Sequence, residues 1–236
     1  MKFLIIGDLH GNKPNIHYKD FDAIIAPGDF CSDAPRKYMF QALSETLKNP
    51  KSKVEWWDFV GKREARKMIA RSLADGRSIL EYLNSFGVPV YALPGNWDWT
   101  KPEKKKSWAF YNQDRWPDLI KGLDNIVDVH HKKVDIGSYE IIGHGIISGP
   151  EYPQTKEDIA RYTVRELAKK KKDYERQVKT VYGLFDKAKK PIIFLSHNVP
   201  YNTPIDQITN PQSPRNGQHF GSVIAKEAIK KYQPLV

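Results

Sequence analysis

The chain has one cysteine, three methionines and no long apolar run in its 236 residues. A lone cysteine, Cys31, excludes an internal disulfide and fits a reducing compartment, so the expected setting is the cytoplasm. The apolar start from Phe3 to Ile6 is too short for a signal segment and meets Asp8 at once. Nothing approaches the roughly 18 apolar residues a spanning helix needs, and no membrane partner is expected. Internal repeats, low-complexity segments and domain linkers are also missing. What remains, 40% apolar, 28% charged and 12% aromatic, is enough for one sizeable α/β domain over residues 1–236.

The charge is lopsided. Thirty-eight Lys and Arg against 28 Asp and Glu give a net +10, which favours polyanionic partners such as a nucleic acid or a nucleotide. The lysines are spread widely, however, and the dense runs Lys104–Lys106 and Lys169–Lys172 read first as solvated surface. A basic rim suits any phosphate-bearing substrate.

Four apolar runs each stop at a polar donor. Ile5-Ile6-Gly7 runs into Asp8-Leu9-His10, and Ala23-Ile24-Ile25-Ala26-Pro27 into Gly28-Asp29. Val88 to Pro94 runs into Gly95-Asn96, and Ile192 to Leu195 into Ser196-His197. Strand ends of an open α/β sheet are where such folds bind ligands. A carboxylate at a central strand end can bridge two divalent cations, and such a pair clamps the attacking and leaving oxygens of a phosphoryl displacement. Asp29 is the natural bridge, with Asp8 and His10 on one side and Asn96 and His197 on the other. Strand ending and helix capping alone would also explain any single one of these residues. The mixed oxygen and nitrogen donors suit Mn²⁺, Fe²⁺ or Zn²⁺ better than Ca²⁺.

In this order and spelling the residues resemble the calcineurin-like metallophosphoesterases. Gly7 to Asn12, Gly28-Asp29, Gly95 to Asp98 and Ser196-His197 match the family's successive motifs, and Gly-Asp-Leu-His-Gly-Asn is closest to its prokaryotic phosphodiesterase-like branch. The resemblance implies a two-sheet β-sandwich flanked by helices. It also implies two divalent metal ions, Mn first, with Fe, Zn or Ni as alternatives. Asp8, His10 and Asp29 would hold one, and Asp29, Asn96 and His197 the other. The implied activity is hydrolysis of a phosphoric ester, a phosphodiester before a monoester, by a binuclear-metal-activated hydroxide.

Three departures qualify the match. Trp97 stands where the family usually has the histidine that protonates the leaving group, and an indole N–H cannot act as a general acid. The site would then favour esters with good leaving groups, or borrow an acid from elsewhere, with His144 and His219 as the candidates. No arginine follows Gly28-Asp29, which argues against a phosphoprotein phosphatase. The closing Gly-His-x-His is absent, and Tyr232 to Val236 reads as a helix end turning into a further strand. The expectation is therefore a C-terminally shortened chain with the last strands missing. The alternative function is a non-catalytic or incomplete scaffold that binds, pairs with a second copy, or needs a completing chain.

The periodicity predicts the rest. Asp33 before Pro35 starts a helix with Met39, Ala42, Leu43 and Leu47 on one side, broken at Asn49-Pro50. A second helical stretch runs from about Val54 to Phe86, so residues 33–86 form a helical insertion. Trp108, Phe110, Tyr111 and Trp116 read as packing. Alternation over Ile126–Val129, Val134–Gly137 and Tyr139–Ile142 predicts antiparallel strands of a second sheet, with His130 and His131 on the surface between them. A long amphipathic helix is expected between Glu157 and Lys190, broken near Gly183. The loop 198–218 is long enough to face a substrate. Ser222 then opens a last helix, Val223–Tyr232, whose N-terminus could hold a phosphate oxygen.

Overall fold

A computed structural model describes residues 1–49, 51–213 and 215–235. The chain divides into two compact units, Met1–Val127 and Asp128–Val236. The fold is mixed α/β, with a largely parallel sheet and a second sheet, each accompanied by helices.

In the first unit β1 (Phe3–Ile5) and β2 (Ala23–Ala26) pair in parallel. The chain then makes α1 (Arg36–Lys48), a short 3-10 turn at Trp56–Asp58, and α2 (Lys62–Asn84). It returns as β3 (Val90–Ala92), parallel to β2. After α3 (Trp116–Ile120), β4 (Ile126–Asp128) completes a sheet of order β1-β2-β3-β4. Within the stretch expected as a helical insertion, the second helix starts at Lys62 rather than near Val54. Residues 54–61 are taken up by the 3-10 turn, closed by reciprocal hydrogen bonds between Glu55 and Asp58, and by Gly61 at φ 78°. Of the expected break at Asn49-Pro50, Pro50 lies outside the described residues, and α1 ends at Lys48.

The core of this unit lies between sheet and α2. Ile79, Leu80 and Leu83 of α2 pack against Ile24, Ala26, Val90 and Ala92, and their spacing of three and four puts them on one helical stripe. Gly76 lies on the same helix, where a Cβ would meet the Cys31 sulfur at 2.5 Å. The close approach requires glycine. Burial pushes the Cys31 thiol up, keeping it protonated. The aromatics act as packing: Trp108 joins Trp56, Trp57 and Ile69 in a separate cluster, and Trp116 stacks on Phe30 at 5.9 Å.

Asp98 ties the strand ends of this unit together. Its carboxylate is fully buried and accepts the N–H groups of Asp29 (2.8 Å), Phe30 (2.8 Å), Cys31 (3.0 Å) and Gly95 (2.8 Å). Two turns 69 residues apart in sequence are thereby held by one side chain. Gly28 makes the approach possible. It sits at φ 99°, and a Cβ there would lie 2.4 Å from the Gly95 nitrogen.

In the second unit β5 (Lys133–Asp135) pairs antiparallel with β6 (Glu140–His144). Next come α4 (Lys156–Ile159) and α5 (Val164–Phe185), then β7 (Ile192–Ser196), parallel to β6. The last element, α6, is Val223–Tyr232, as its sequence predicts. Three expectations need correction. The segment at 126–128 joins the first sheet, where β4 neighbours β3, while β5 and β6 pair antiparallel in the second. The helical region breaks at 160–163, where Thr163 caps α5, and runs unbroken through Gly183. His130 and His131 are half-buried: their rings stack at 4.0 Å, and His131 Nε2 lies 3.2 Å from His144 Nδ1.

The N-terminus of α6 is also taken by a protein anion. Glu151 accepts the Val223 N–H at 2.8 Å and the Ser222 hydroxyl. A carboxylate satisfies the helix's orphan N–H groups and its dipole just as a phosphate oxygen would.

Two measurements follow. Asp98→Ala strands four buried N–H donors and should cost on the order of 3 kcal/mol or more, read as a lower urea midpoint by tryptophan fluorescence; an unchanged midpoint would contradict the tie. Burial lowers His130 to about 4 and His131 to about 3 from an ordinary 6.5. Because the folded values are depressed, the stability they contribute is present above pH 6.5 and is lost as pH falls towards 4 and 3. Melting temperature should therefore drop between pH 7 and 5, less steeply in His131→Gln than in the parent chain.

Candidate metal centre

The donors stand where three parallel strands end. Past β1 the chain is laced to the end of β2, with the Asp8 N–H donating to Gly28 O at 3.0 Å, His10 to Asp29 O at 2.9 Å and Gly11 to Phe30 O at 2.9 Å. This ladder fixes both turns before any side chain contributes.

Asp8, His10 and Asp29 have positive φ, at 52°, 45° and 57°. A non-glycine residue in this left-handed region carries strain that the surroundings must offset. Here the interstrand ladder and the Asp98 carboxylate hold the bend. The bends bring one donor atom from each of the three within 4.8 Å of the others. His10 Nε2 is 3.6 Å from Asp29 Oδ2.

The electrostatics favour a cation. Burial pushes the Asp29 carboxyl up to about 7, and the Asp98 charge adds to the shift; the Trp97 N–H, donating to Asp29 Oδ1 at 2.7 Å, and His10 pull the other way. A buried carboxylate beside a second one is relieved by positive charge, and a metal ion supplies it. His10 Nδ1 is buried and has no hydrogen-bond partner among the described residues, which is unusual for an imidazole unless a ligand takes it. Two carboxylates and one imidazole, each offering one donor atom, fit a divalent metal of the transition series.

The remaining predicted residues are placed as follows. Asn96 is exposed in the Gly95–Asp98 turn. Trp97 meets the His10 ring edge-on at 5.9 Å, so it positions His10 rather than offering an acid. His197 follows β7 in the second unit, where its N–H donates to His144 O at 3.0 Å. His144 has no exposed surface, and its ring nitrogens face His131 and Glu151, each at 3.2 Å. His219 differs: its side chain is 30% exposed, and its Nδ1 is held at 2.6 Å by the buried Asp206 carboxylate.

Sequence reading passed over two of these residues. Asp98 belongs to the Gly95–Asp98 motif, but its role appears only once the Gly28 and Gly95 backbones meet. Asp206 lies in a loop whose sequence gives no sign that it will orient a histidine 13 residues on.

A family model described as calcineurin-like phosphoesterase matches residues 1–236. Among solved structures, one crystal structure is similar over 99% of this chain and 80% of its own, with a TM-score of 0.53 at 14% identity. That of TT1561 of Thermus thermophilus covers 99% of this chain and 78% of its own, with a TM-score of 0.45 at 15% identity. A search of curated proteins returned no match. The strand-end donors and the match along the whole chain agree: this chain belongs to the calcineurin-like phosphoesterase family.

Proposed function

We propose that the chain is a metal-dependent phosphodiesterase, with two divalent cations, Mn²⁺ first, held by Asp8, His10, Asp29, Asn96 and His197. One observation carries the reading: Asp8, His10 and Asp29, from two different strand ends, converge within 4.8 Å on strained backbone. Asn96 in the neighbouring turn and His197 are added from the resemblance. Bound there, two cations supply Lewis acidity towards the phosphoryl oxygens and lower the pKa of water.

The protein's own part is to hold and to protonate. Asp29, anchored by the Trp97 N–H, keeps one carboxylate oxygen fixed while the other is 3.6 Å from His10. Trp97 cannot protonate a leaving group. Of the two candidate acids, His144 lacks exposed surface and has both ring nitrogens engaged. His219 has the better build, with Asp206 fixing the tautomer and leaving Nε2 available. The diester is preferred to the monoester because Trp97 replaces a histidine and no arginine follows Asp29. A nucleotide or nucleic-acid ester falls within this class, as the net charge of +10 favours. No helix among the described residues is long and apolar enough to cross a membrane, and the lone buried Cys31 supports a cytoplasmic setting.

The chain with Mn²⁺ should hydrolyse bis(p-nitrophenyl) phosphate, a substrate whose leaving group needs no acid. Chelator should abolish turnover, and Asp29→Asn should lower kcat/KM by at least about a hundredfold, the scale of a lost charge-stabilising group. Turnover unaffected by Asp29→Asn would remove the proposal. For His219→Gln the expectation is selective: a loss of about ten- to a hundredfold on alkyl esters, with little change on p-nitrophenyl esters. Equal losses on both would show that His219 is not the acid.

A further inference from the structure

Helix α2 turns one face to a cleft. Glu64, Lys67, Met68, Arg71 and Asp75 succeed one another along the helix on one side, and all five line it. The facing wall comes from Tyr38 of α1 and from the loop residues that follow β1 and β2. Its volume is 730 Å³, within the range of roughly 300 to 1,000 Å³ that takes a small molecule. His10 belongs both to this lining and to the metal-binding group with Asp8 and Asp29. The helical insertion thus builds the cleft beside the site where the ester would be cut.

The lining is polar and mixed in sign. Lys67 pairs with Glu64 at 3.1 Å, and Asp75 Oδ2 accepts the Ser32 hydroxyl at 2.6 Å. Arg71 is exposed and has no acidic partner among the described residues. Ala34, Val60, Met68 and the Tyr38 ring are its apolar part.

This chemistry narrows the ligand. A lipid-like alcohol would strip water from carboxylates and a guanidinium without replacing its hydrogen bonds. A second phosphate would find Arg71, but also the carboxylates of Asp33, Glu64 and Asp75. An alcohol with neighbouring hydroxyls satisfies both kinds of group, donating its O–H hydrogens to carboxylates and accepting from the guanidinium through its oxygens.

We propose that this cleft is the subsite for the alcohol part of the ester, and that it selects alcohols bearing vicinal hydroxyls, as nucleosides and sugar alcohols do. The inference rests on the phosphoesterase reading of the neighbouring metal centre.

Its test compares p-nitrophenyl esters of glycerol phosphate, uridine 5′-phosphate and butyl phosphate, in the parent chain and in Arg71→Gln and Asp75→Asn. At least one diol ester should exceed the butyl ester in kcat/KM by about tenfold or more, and each substitution should bring that ratio to within about twofold of one. Greater preference for the uridine ester assigns a nucleoside, and for the glycerol ester a polyol. Equal kcat/KM for all three, or a preference that survives both substitutions, overturns the subsite. Calorimetry of the Mn²⁺-saturated chain with glycerol 3-phosphate and with butyl phosphate separates the two ways of failing. Diol-selective binding that Arg71→Gln abolishes, without turnover of any ester, keeps the subsite and removes the hydrolase reading. Turnover without selectivity does the reverse, and binding of neither product also overturns the subsite.

Discussion

The Asp98 carboxylate sets the geometry on which the rest of the first unit depends. Four N–H groups from two distant turns converge on it, and a buried carboxylate is tolerated only with such compensation. The tie holds Gly28-Asp29 against Gly95, and the ladder from Asp8 to Gly11 holds the first turn against the second. Three residues can then keep left-handed backbone conformations that a free loop would abandon. One consequence is electrostatic: the charge that fixes the Asp29 turn also disfavours a second charge on Asp29. Burial of Asp29 is the larger cause, and a cation would relieve both, so the structural tie adds to the metal preference.

The second unit uses the same device differently. Glu151 takes the N-terminus of α6 and reaches His144, which reaches His131. Here a carboxylate and a row of imidazoles occupy one another, which leaves His144 little freedom for chemistry at a surface. Asp206 and His219 form the more open pair, because only one ring nitrogen is used in orienting the ring. Burial and hydrogen bonding distinguish two histidines that the sequence offers on equal terms.

The strand ends before Asp8, Asp29 and Asn96 were legible because an apolar run that stops at Asp or Asn is a local signal, and local signals survive without tertiary information. The same holds for α6 and its Ser222 cap. What escaped reading is long-range. The alternating segment at 126–128 carries no mark of which sheet it will join, since alternation reports one buried face and not its neighbour. Glu151 reaches the α6 N-terminus across 71 residues, and the cleft along α2 exists only because the helix lies beside residues 10–12. His130 and His131 read as surface residues because nothing near them in sequence announces His144 stacked alongside.

The central claim is that strand-end geometry makes a metal site of Asp8, His10 and Asp29. The most direct test is to titrate the chain with Mn²⁺ and record pulsed electron paramagnetic resonance, which detects a coordinated imidazole nitrogen. The account predicts saturable binding with a nitrogen coupling that is reduced in His10→Ala, and binding that collapses in Asp29→Ala. Absence of saturable Mn²⁺ binding, or a nitrogen coupling untouched by His10→Ala, would contradict it.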